Sequence, residues 1–217
     1  MRIGVLGTGV VGETLASKLV ELGHEVRMGS RTANNEKAAA WASGAGTNAS
    51  HGTFADAAAF GELLLNCTSG TVSLDVLASA GADAIGAKVL IDVSNPLDFS
   101  NGMPPSLSVC NTDSVGEQIQ RAYPNARVVK ALNTVNTSVM IDPAVIPGEH
   151  TLLICGNDAA AKAEVTALLG AFGWPAERVL DLGDITGSRA TEMYLPLWLR
   201  LFGTFGTPAV TIQVRHA

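Results

Sequence analysis

Along the first half of the chain, short apolar runs alternate with segments of helical period, as in a parallel sheet whose strands are joined by crossover helices. Arg2 to Leu6 predicts a buried strand. From Val10 to Leu22 the apolar positions Val11, Leu15, Leu19 and Leu22 recur three or four apart, which predicts a helix stopped by Gly23. His24 to Met28 predicts a second strand, and Asn35 to Ser43 a second helix. Glycines and serines blur the period between Gly44 and Gly61, where a short strand and then a helix over the alanines near Ala57 are expected. Leu63 to Cys67 and Val89 to Val93 read as strands, separated by a helix near Leu74 to Ala80. Asn95 to Asp113 reads as a long loop because Pro104-Pro105 opposes regular structure. Ser114-Val115-Gly116-Glu117 has the form of a capping box opening a short helix, and Arg127 to Leu132 reads as the last strand of the first sheet.

After Asn133 the texture changes. A segment rich in Asn, Thr and Pro leads to a strand at Thr151 to Cys155, a helix at Asp158 to Phe172 and a strand at Arg178 to Asp181. The last helical segment, Gly187 to Phe205, should kink at Pro196. The expected division is residues 1–139 and 140–217. The second part is too small to stand alone, so it should cap the first and supply an oligomer surface.

Composition narrows the function classes. With 217 residues, 47% of them hydrophobic, the chain can bury a core. A net charge of −6 with 16% charged residues lacks the basic surface that nucleic acid needs. Cys67, Cys110 and Cys155 form no C-x-x-C pair, which argues against a zinc site or a disulfide framework and fits a reducing compartment. A strand beginning at Arg2 leaves no room for a signal peptide, and the apolar stretch Tyr194 to Gly206 is too short for a bilayer and holds Arg200. A cytoplasmic protein without membrane partners is expected.

Gly7-Thr8-Gly9-Val10-Val11-Gly12 is a G-x-G-x-x-G turn between the first strand and the first helix. Glycines there allow a tight turn, close approach of a pyrophosphate to the backbone, and close helix–strand packing; the helix N-terminus adds free N–H groups and partial positive charge. In that context the turn predicts a Rossmann-type doubly wound parallel sheet, α/β in class, with a small C-terminal α/β extension. Thr8 is either a hydroxyl for the pyrophosphate or a solvent-facing turn residue. An NAD site wants an Asp or Glu at the end of the second strand, whereas this strand runs on as Met28-Gly29-Ser30-Arg31. Ser30 and Arg31 suit a 2′-phosphate, with Lys37 as an additional charge, so NADP(H) is the expected nucleotide.

Leu6-Gly7-Thr8-Gly9, Gly29-Ser30-Arg31 and Val129-Lys130-Ala131-Leu132-Asn133-Thr134 together give a resemblance. So do Leu22-Gly23-His24-Glu25 and Cys155-Gly156-Asn157-Asp158. The chain resembles, over essentially its whole length, the NADPH-dependent reductases of coenzyme F420, an 8-hydroxy-5-deazaflavin. These share a fold with the oxidoreductase domain of the Steap-type membrane ferric reductases, whose membrane helices and haem histidines are absent here. The resemblance implies a homodimer, NADP contacts at Thr8, Ser30, Arg31 and Lys37, and a nicotinamide side lined by Thr68, Ser69, Asn133, Thr134 and Val135. Archaeal members carry His where this chain has Asn133. Coenzyme F420 or a flavin would be the second substrate.

Direct hydride transfer between two rings needs stacking and exclusion of water more than an acid or base. The sequence holds no Ser-His-Asp order, no metal-ligand spacing and no paired carboxylates expected in a cleft, so no catalytic residue is assigned. His24, His51, His150 and His216 read as surface or turn residues. Asn95-Pro96 should shape the pocket rim. Lys130 is either a catalytic lysine or a structural one, the structural role being favoured. Arg189 and Glu192 read as a surface pair of little weight, and Trp198, Phe202 and Phe205 as core or dimer contact. A nucleotide-binding redox sensor and an NADPH-dependent dehydrogenase or imine reductase of a small metabolite are the rival readings.

Overall fold

The computed structural model describes residues 1–215 and 217. His216 therefore lies outside the described residues. The first part runs β1 (Arg2–Leu6), α1 (Val10–Glu21), β2 (Glu25–Ser30), α2 (Glu36–Ala45), β3 (Ala49–Thr53), α3 (Phe54–Phe60), β4 (Leu63–Asn66), α4 (Ser73–Ala80), α5 (Ala82–Ile85) and β5 (Val89–Asp92). A two-strand ribbon, β6 (Leu97–Asp98) and β7 (Ser106–Leu107), precedes α6 (Val115–Ala122) and β8 (Arg127–Lys130). The remainder is α7 (Thr137–Ile141), β9 (Leu152–Gly156), α8 (Ala159–Ala171), β10 (Val179–Asp181), α9 (Ser188–Met193) and α10 (Leu195–Phe205).

The main sheet has eight strands in the order β10-β9-β8-β5-β4-β1-β2-β3. From β3 to β8 every pair is parallel; β9 then runs antiparallel to β8, and β10 parallel to β9. Strand order reverses between β1 and β4, which is the topological switch point of a Rossmann fold. Both faces are covered, so the inner strands β1, β4, β5 and β9 are apolar at most positions, whereas β2 and β3 carry polar residues. Leu63, Leu65, Val89, Ile91 and Val129 pack on one face with Leu15, Leu19 and Trp174. Their neighbours Leu64, Leu90 and Val128 pack on the other with Leu77, Ile85 and Ile119.

Several expected elements differ in detail. The ambiguous stretch resolves into β3 and α3 because Thr53 and Asp56 form a reciprocal capping box. At Ser114 the box is only half made: the Ser114 hydroxyl accepts from Glu117 N, but the Glu117 carboxylate accepts from Ser114 Oγ and Arg189. The loop expected at Asn95 to Asp113 contains the β6–β7 ribbon. Arg127 to Leu132 ends as a strand at Lys130 and is followed in the same sheet by β9. The last helical segment breaks at Tyr194, with Pro196 in the first turn of α10 where its missing N–H costs nothing.

His150 is not a surface residue. It is 3% exposed, with its ring edge-on to fully buried Trp174 at 5.3 Å. Burial first, and the charge of Arg178 second, hold its pKa below 6.5. A lowered folded value means the neutral ring stabilises the native state above the unfolded pKa of about 6.5, and this contribution is lost as pH falls from there through the folded value. Urea midpoints should therefore drop between pH 7.5 and pH 5, and His150→Phe should show a smaller drop than the wild type. Identical pH profiles for the two proteins would contradict this.

Candidate functional site

Register sets the site. Gly29 pairs with Leu6, Leu6 with Asn66, Asn66 with Asp92, and Asp92 with Lys130, so these residues form one row across the carboxyl edge of the sheet. The loops that follow them therefore leave from the same edge. Those loops bring together the 7–12 turn, Ser30-Arg31, Thr68-Ser69, Asn95, and Asn133-Thr134-Val135.

In the turn the three glycines do three different things. Gly7 sits at φ +122, a left-handed conformation, and its N–H donates to Gly29 O at 3.0 Å. A Cβ on Gly12 would collide with Gly7 O, so this glycine lets α1 pack against the end of β1. Gly9 has φ −82, ordinary for any residue, and nothing lies within 4 Å of where its Cβ would be. The fold does not need a glycine there; open space above it is what a bound group would use. No side chain caps α1, and its first backbone bond, from Glu13 N to Gly9 O, spans 2.9 Å. Orphan N–H groups and the positive end of the helix dipole thus face the opening. Thr8, Gly9 and Lys37 line a groove of about 660 Å³ between α1 and α2. Val10 lies exposed at its rim and half-buried Val11 packs inward on the core. An uncapped helix end above an open glycine fits a pyrophosphate.

Beside it, Ser30 is 3% exposed and its hydroxyl donates to Thr32 O at 2.6 Å. That proton shapes the loop, leaving Oγ only lone pairs for other partners. Arg31 and Lys37 are exposed and make no hydrogen bond or ion pair among the described residues. No acid ends β2, and a Cβ on Gly29 would crowd Ala57 and Phe54.

Across the switch point the groups are neutral. Thr68 Oγ1 donates to Asn66 Oδ1 at 2.7 Å, and Asn66 Nδ2 donates to Ser73 Oγ and Asp92 Oδ1, each at 2.9 Å. Exposed Ser69 shares a hydrogen bond with Thr71. Asn95 Nδ2 donates to Asn133 O and Asn133 Nδ2 donates to Asn95 Oδ1, both at 2.9 Å. Leu132, at φ +65, turns the chain into this pair in a conformation that costs a branched residue about 1 kcal/mol or more. Asn133 Oδ1 and Ser94 Oγ are buried and have no partner.

Lys130 has no exposed surface. Its Nζ donates to Asp92 Oδ2 at 2.8 Å, Glu192 Oε1 at 2.7 Å and Ser94 O at 2.7 Å, which uses all three of its protons. Burial pulls its pKa down, but the charges of Asp92 and then Glu192 outweigh burial and hold it above the usual lysine value. The surface pair expected between Arg189 and Glu192 does not form. Arg189 Nε donates to Glu117 at 2.8 Å, whereas Glu192 is 1% exposed and accepts from Lys130 and from the N–H groups of Val115 and Gly116. Asn66, Asp92 and Glu192 are the residues sequence reasoning missed. A polar residue ending each of the apolar strands Leu63–Asn66 and Val89–Asp92 was the available signal for the first two. The thiols nearby are inert: burial pushes Cys67 far up, and Cys155 up to about 12.

Residues 2–96 match the family model described as NADP oxidoreductase, coenzyme F420-dependent. A solved structure from Arthrobacter sp. FB24, assigned as an F420-dependent NADP reductase, is 47% identical over the full length of both chains, with a TM-score of 0.93. Metalloreductase STEAP3 of Rattus norvegicus is 29% identical over 202 residues, 91% of this chain. The chain spans only 38% of that curated relative's length. A reductive aminase from Aspergillus terreus solved with NADPH4, cyclohexanone and allyl amine shares the fold: TM-score 0.66, 20% identity, 94% of this chain and 62% of that one.

The glycine geometry separates stability from vacancy. Gly9→Val should change the unfolding free energy by no more than about 1 kcal/mol, since the side chain meets open space. Gly12→Val should lose about 1–3 kcal/mol or more through overlap with backbone. Equal destabilisation of the two variants in denaturant melts would contradict these assignments.

Proposed function

Because this chain belongs to the family of coenzyme F420-dependent NADP oxidoreductases, we propose that it transfers hydride between NADP(H) and a flat deazaflavin or flavin-type acceptor. The observation that carries the choice of acceptor is the saturation of Lys130, the one lysine at the strand-end row, whose three protons are all held by acceptors. Reduction of a carbonyl or imine calls for a proton donor near the reacting atoms, and the lining groups Thr68, Ser69, Asn95, Asn133 and Thr134 are neutral. When bound, the nicotinamide supplies a two-electron hydride. The protein's own part is to align two rings and keep water out.

In this reading the N–H groups of Gly9 to Gly12 receive the pyrophosphate, and Arg31 with Lys37 takes the 2′-phosphate. Ser30 contributes by shaping the loop that carries Arg31 and by the lone pairs left on its hydroxyl. The ends of β4, β5 and β8, across the switch point, would then hold the nicotinamide. Val135, buried behind Asn133 and Thr134, backs that wall. Residues 1–139 hold the nucleotide and residues 140–217 cap it. Within the cap, α10 buries only Leu195 and exposes Leu197, Phe202 and Phe205, a surface suited to a second copy of the chain. No helix among the described residues is long and apolar enough to cross a membrane. A reducing, cytoplasmic setting suits the free cysteines.

Two measurements test the reading. Calorimetry should find NADPH bound about 10- to 150-fold more tightly than NADH, as 1.5–3 kcal/mol of charge-assisted contact implies. Arg31→Ala should erase most of that preference with NADH affinity unchanged, and Gly9→Val should bind neither nucleotide. Equal wild-type affinities would refute the NADP assignment. NADPH oxidation against a panel of deazaflavin, FMN, FAD, quinone, simple ketones and imines should be fastest with a flat heteroaromatic ring. Faster turnover of a ketone or imine would move the protein to the metabolite reductases.

A further inference from the structure

Between the turn of the β6–β7 ribbon and α10 lies a groove of about 600 Å³, a volume that suits a small organic ligand. One wall is Met103-Pro104-Pro105. The other is a stripe of α10 running from Pro196 through Leu199 and Arg200 to Gly203. Residues three and four apart share a helix face, so this stripe lies opposite the one that carries Trp198, Phe202 and Phe205. Trp198 Nε1 donates to Val210 O at 3.2 Å, which ties that other face to the C-terminal segment. The groove is therefore separate from the apolar surface suited to a second copy. Its lining is mostly apolar, it contains no Asp or Glu, and its one charge is the exposed Arg200. Among the described residues every arginine but two donates a hydrogen bond from its guanidinium. The exceptions are Arg31, at the nucleotide end of the site, and Arg200. A free guanidinium beside an apolar slot complements a ligand with an apolar body and one anionic group, which it can hold bidentately.

Both walls are rooted at the strand-end row. β6 begins directly after Asn95-Pro96, and Ser108 N, just past β7, donates to Pro96 O at 2.8 Å. α10 begins shortly beyond Glu192, which Lys130 holds at the end of β8. A ring held at that row and carrying a side arm would meet this groove between the two elements that leave it. Resting on the function proposed above, we infer that the groove receives the side arm of the flat acceptor and that Arg200 binds an anionic group, such as a phosphate, on that arm. Arg200 then selects the substrate class: ring acceptors with an anionic arm are favoured over neutral rings. The anion could instead be one of the nucleotide's own phosphates, and the experiment separates the two sources. Gly203 offers a way to close the groove without touching the fold. Nothing lies within 4 Å of where its Cβ would be, and a helix interior favours a longer side chain over glycine.

The test measures binding of 5-deazariboflavin and of its 5′-phosphate to the NADP+-saturated protein in calorimetry. Wild-type protein should bind the phosphate form about tenfold more tightly, as one charge-assisted contact implies. Arg200→Gln breaks no hydrogen bond or ion pair of the side chain; it should bring the two affinities to within about twofold and leave NADP+ affinity unchanged. Gly203→Leu should keep the wild-type Tm and weaken binding of the phosphate form about tenfold or more. Equal wild-type affinities for the two rings, with NADPH oxidation by both intact, would overturn the inference and leave the proposed function in place. Retention of the preference in Arg200→Gln, or unchanged ring binding by Gly203→Leu, would overturn it as well. Loss of NADP+ affinity in Arg200→Gln would also overturn it and give the guanidinium to the nucleotide. A phosphate preference that depends on Arg200, in a protein that oxidises NADPH with neither ring, would support the groove and refute the proposed function.

Discussion

A lysine ammonium sealed between two carboxylates is the contact on which the rest of this molecule depends. Lys130 ends β8, Asp92 ends β5 and Glu192 comes from α9, and none is more than 1% exposed. Removing a charge from water is expensive, and a buried pair returns that cost only when every lone pair and proton is used. Here they are used. Asp92 also accepts from Asn66 and Ser94 N, and Glu192 also accepts from the first two N–H groups of α6, where the helix dipole favours a negative charge. The net gain in stability from such a cluster is small; what it supplies is registry. It fixes α9, and with it the start of α10, against the sheet edge from which the site loops leave.

The two sides of that edge work by different physics. On the β1–β2 side the backbone does the work: an uncapped helix end, an empty space over Gly9 and a free guanidinium at Arg31. On the β4–β5–β8 side, side chains are fixed in neutral hydrogen-bonded pairs, and the charged groups behind them are engaged with one another inside the buried cluster. Asn66 joins the two layers, since its amide reaches Asp92 with one end and Thr68 with the other. A site whose inner side holds neutral groups, with its one lysine fully engaged by Asp92, Glu192 and Ser94 O, is suited to ring-to-ring transfer and poorly suited to carbonyl reduction.

Much of this was legible in the sequence, and the reasons for the rest are physical. Strand–turn–helix order with G-x-G-x-x-G fixes the switch point, and the absence of an acid after Met28 is a local fact that no tertiary contact alters. By contrast, the partners of Lys130 come from the end of β5 and from α9, far apart in the chain, so no local spacing announces them. Arg189 and Glu192 illustrate the limit. Three residues apart on a helix they read as an exposed pair, but the turn of α9 points Glu192 into the core, toward a cation, and Arg189 toward Glu117. His150 likewise looked like a turn residue because its burial depends on Trp174, which reaches it from beyond α8. The orphaned Asn133 oxygen is visible only once the Asn95 pairing is known.

The most direct test of the account is Lys130→Met, measured for both stability and turnover per folded molecule. Two carboxylates left buried without their cation should lower the unfolding free energy by about 3–5 kcal/mol. The folded fraction, held by low temperature or osmolyte, should retain turnover with a flat acceptor to within about tenfold, against the 10²–10⁴ loss that follows removal of a general acid. A variant of unchanged stability that loses a hundredfold or more in turnover would show that Lys130 donates a proton, and would contradict the account.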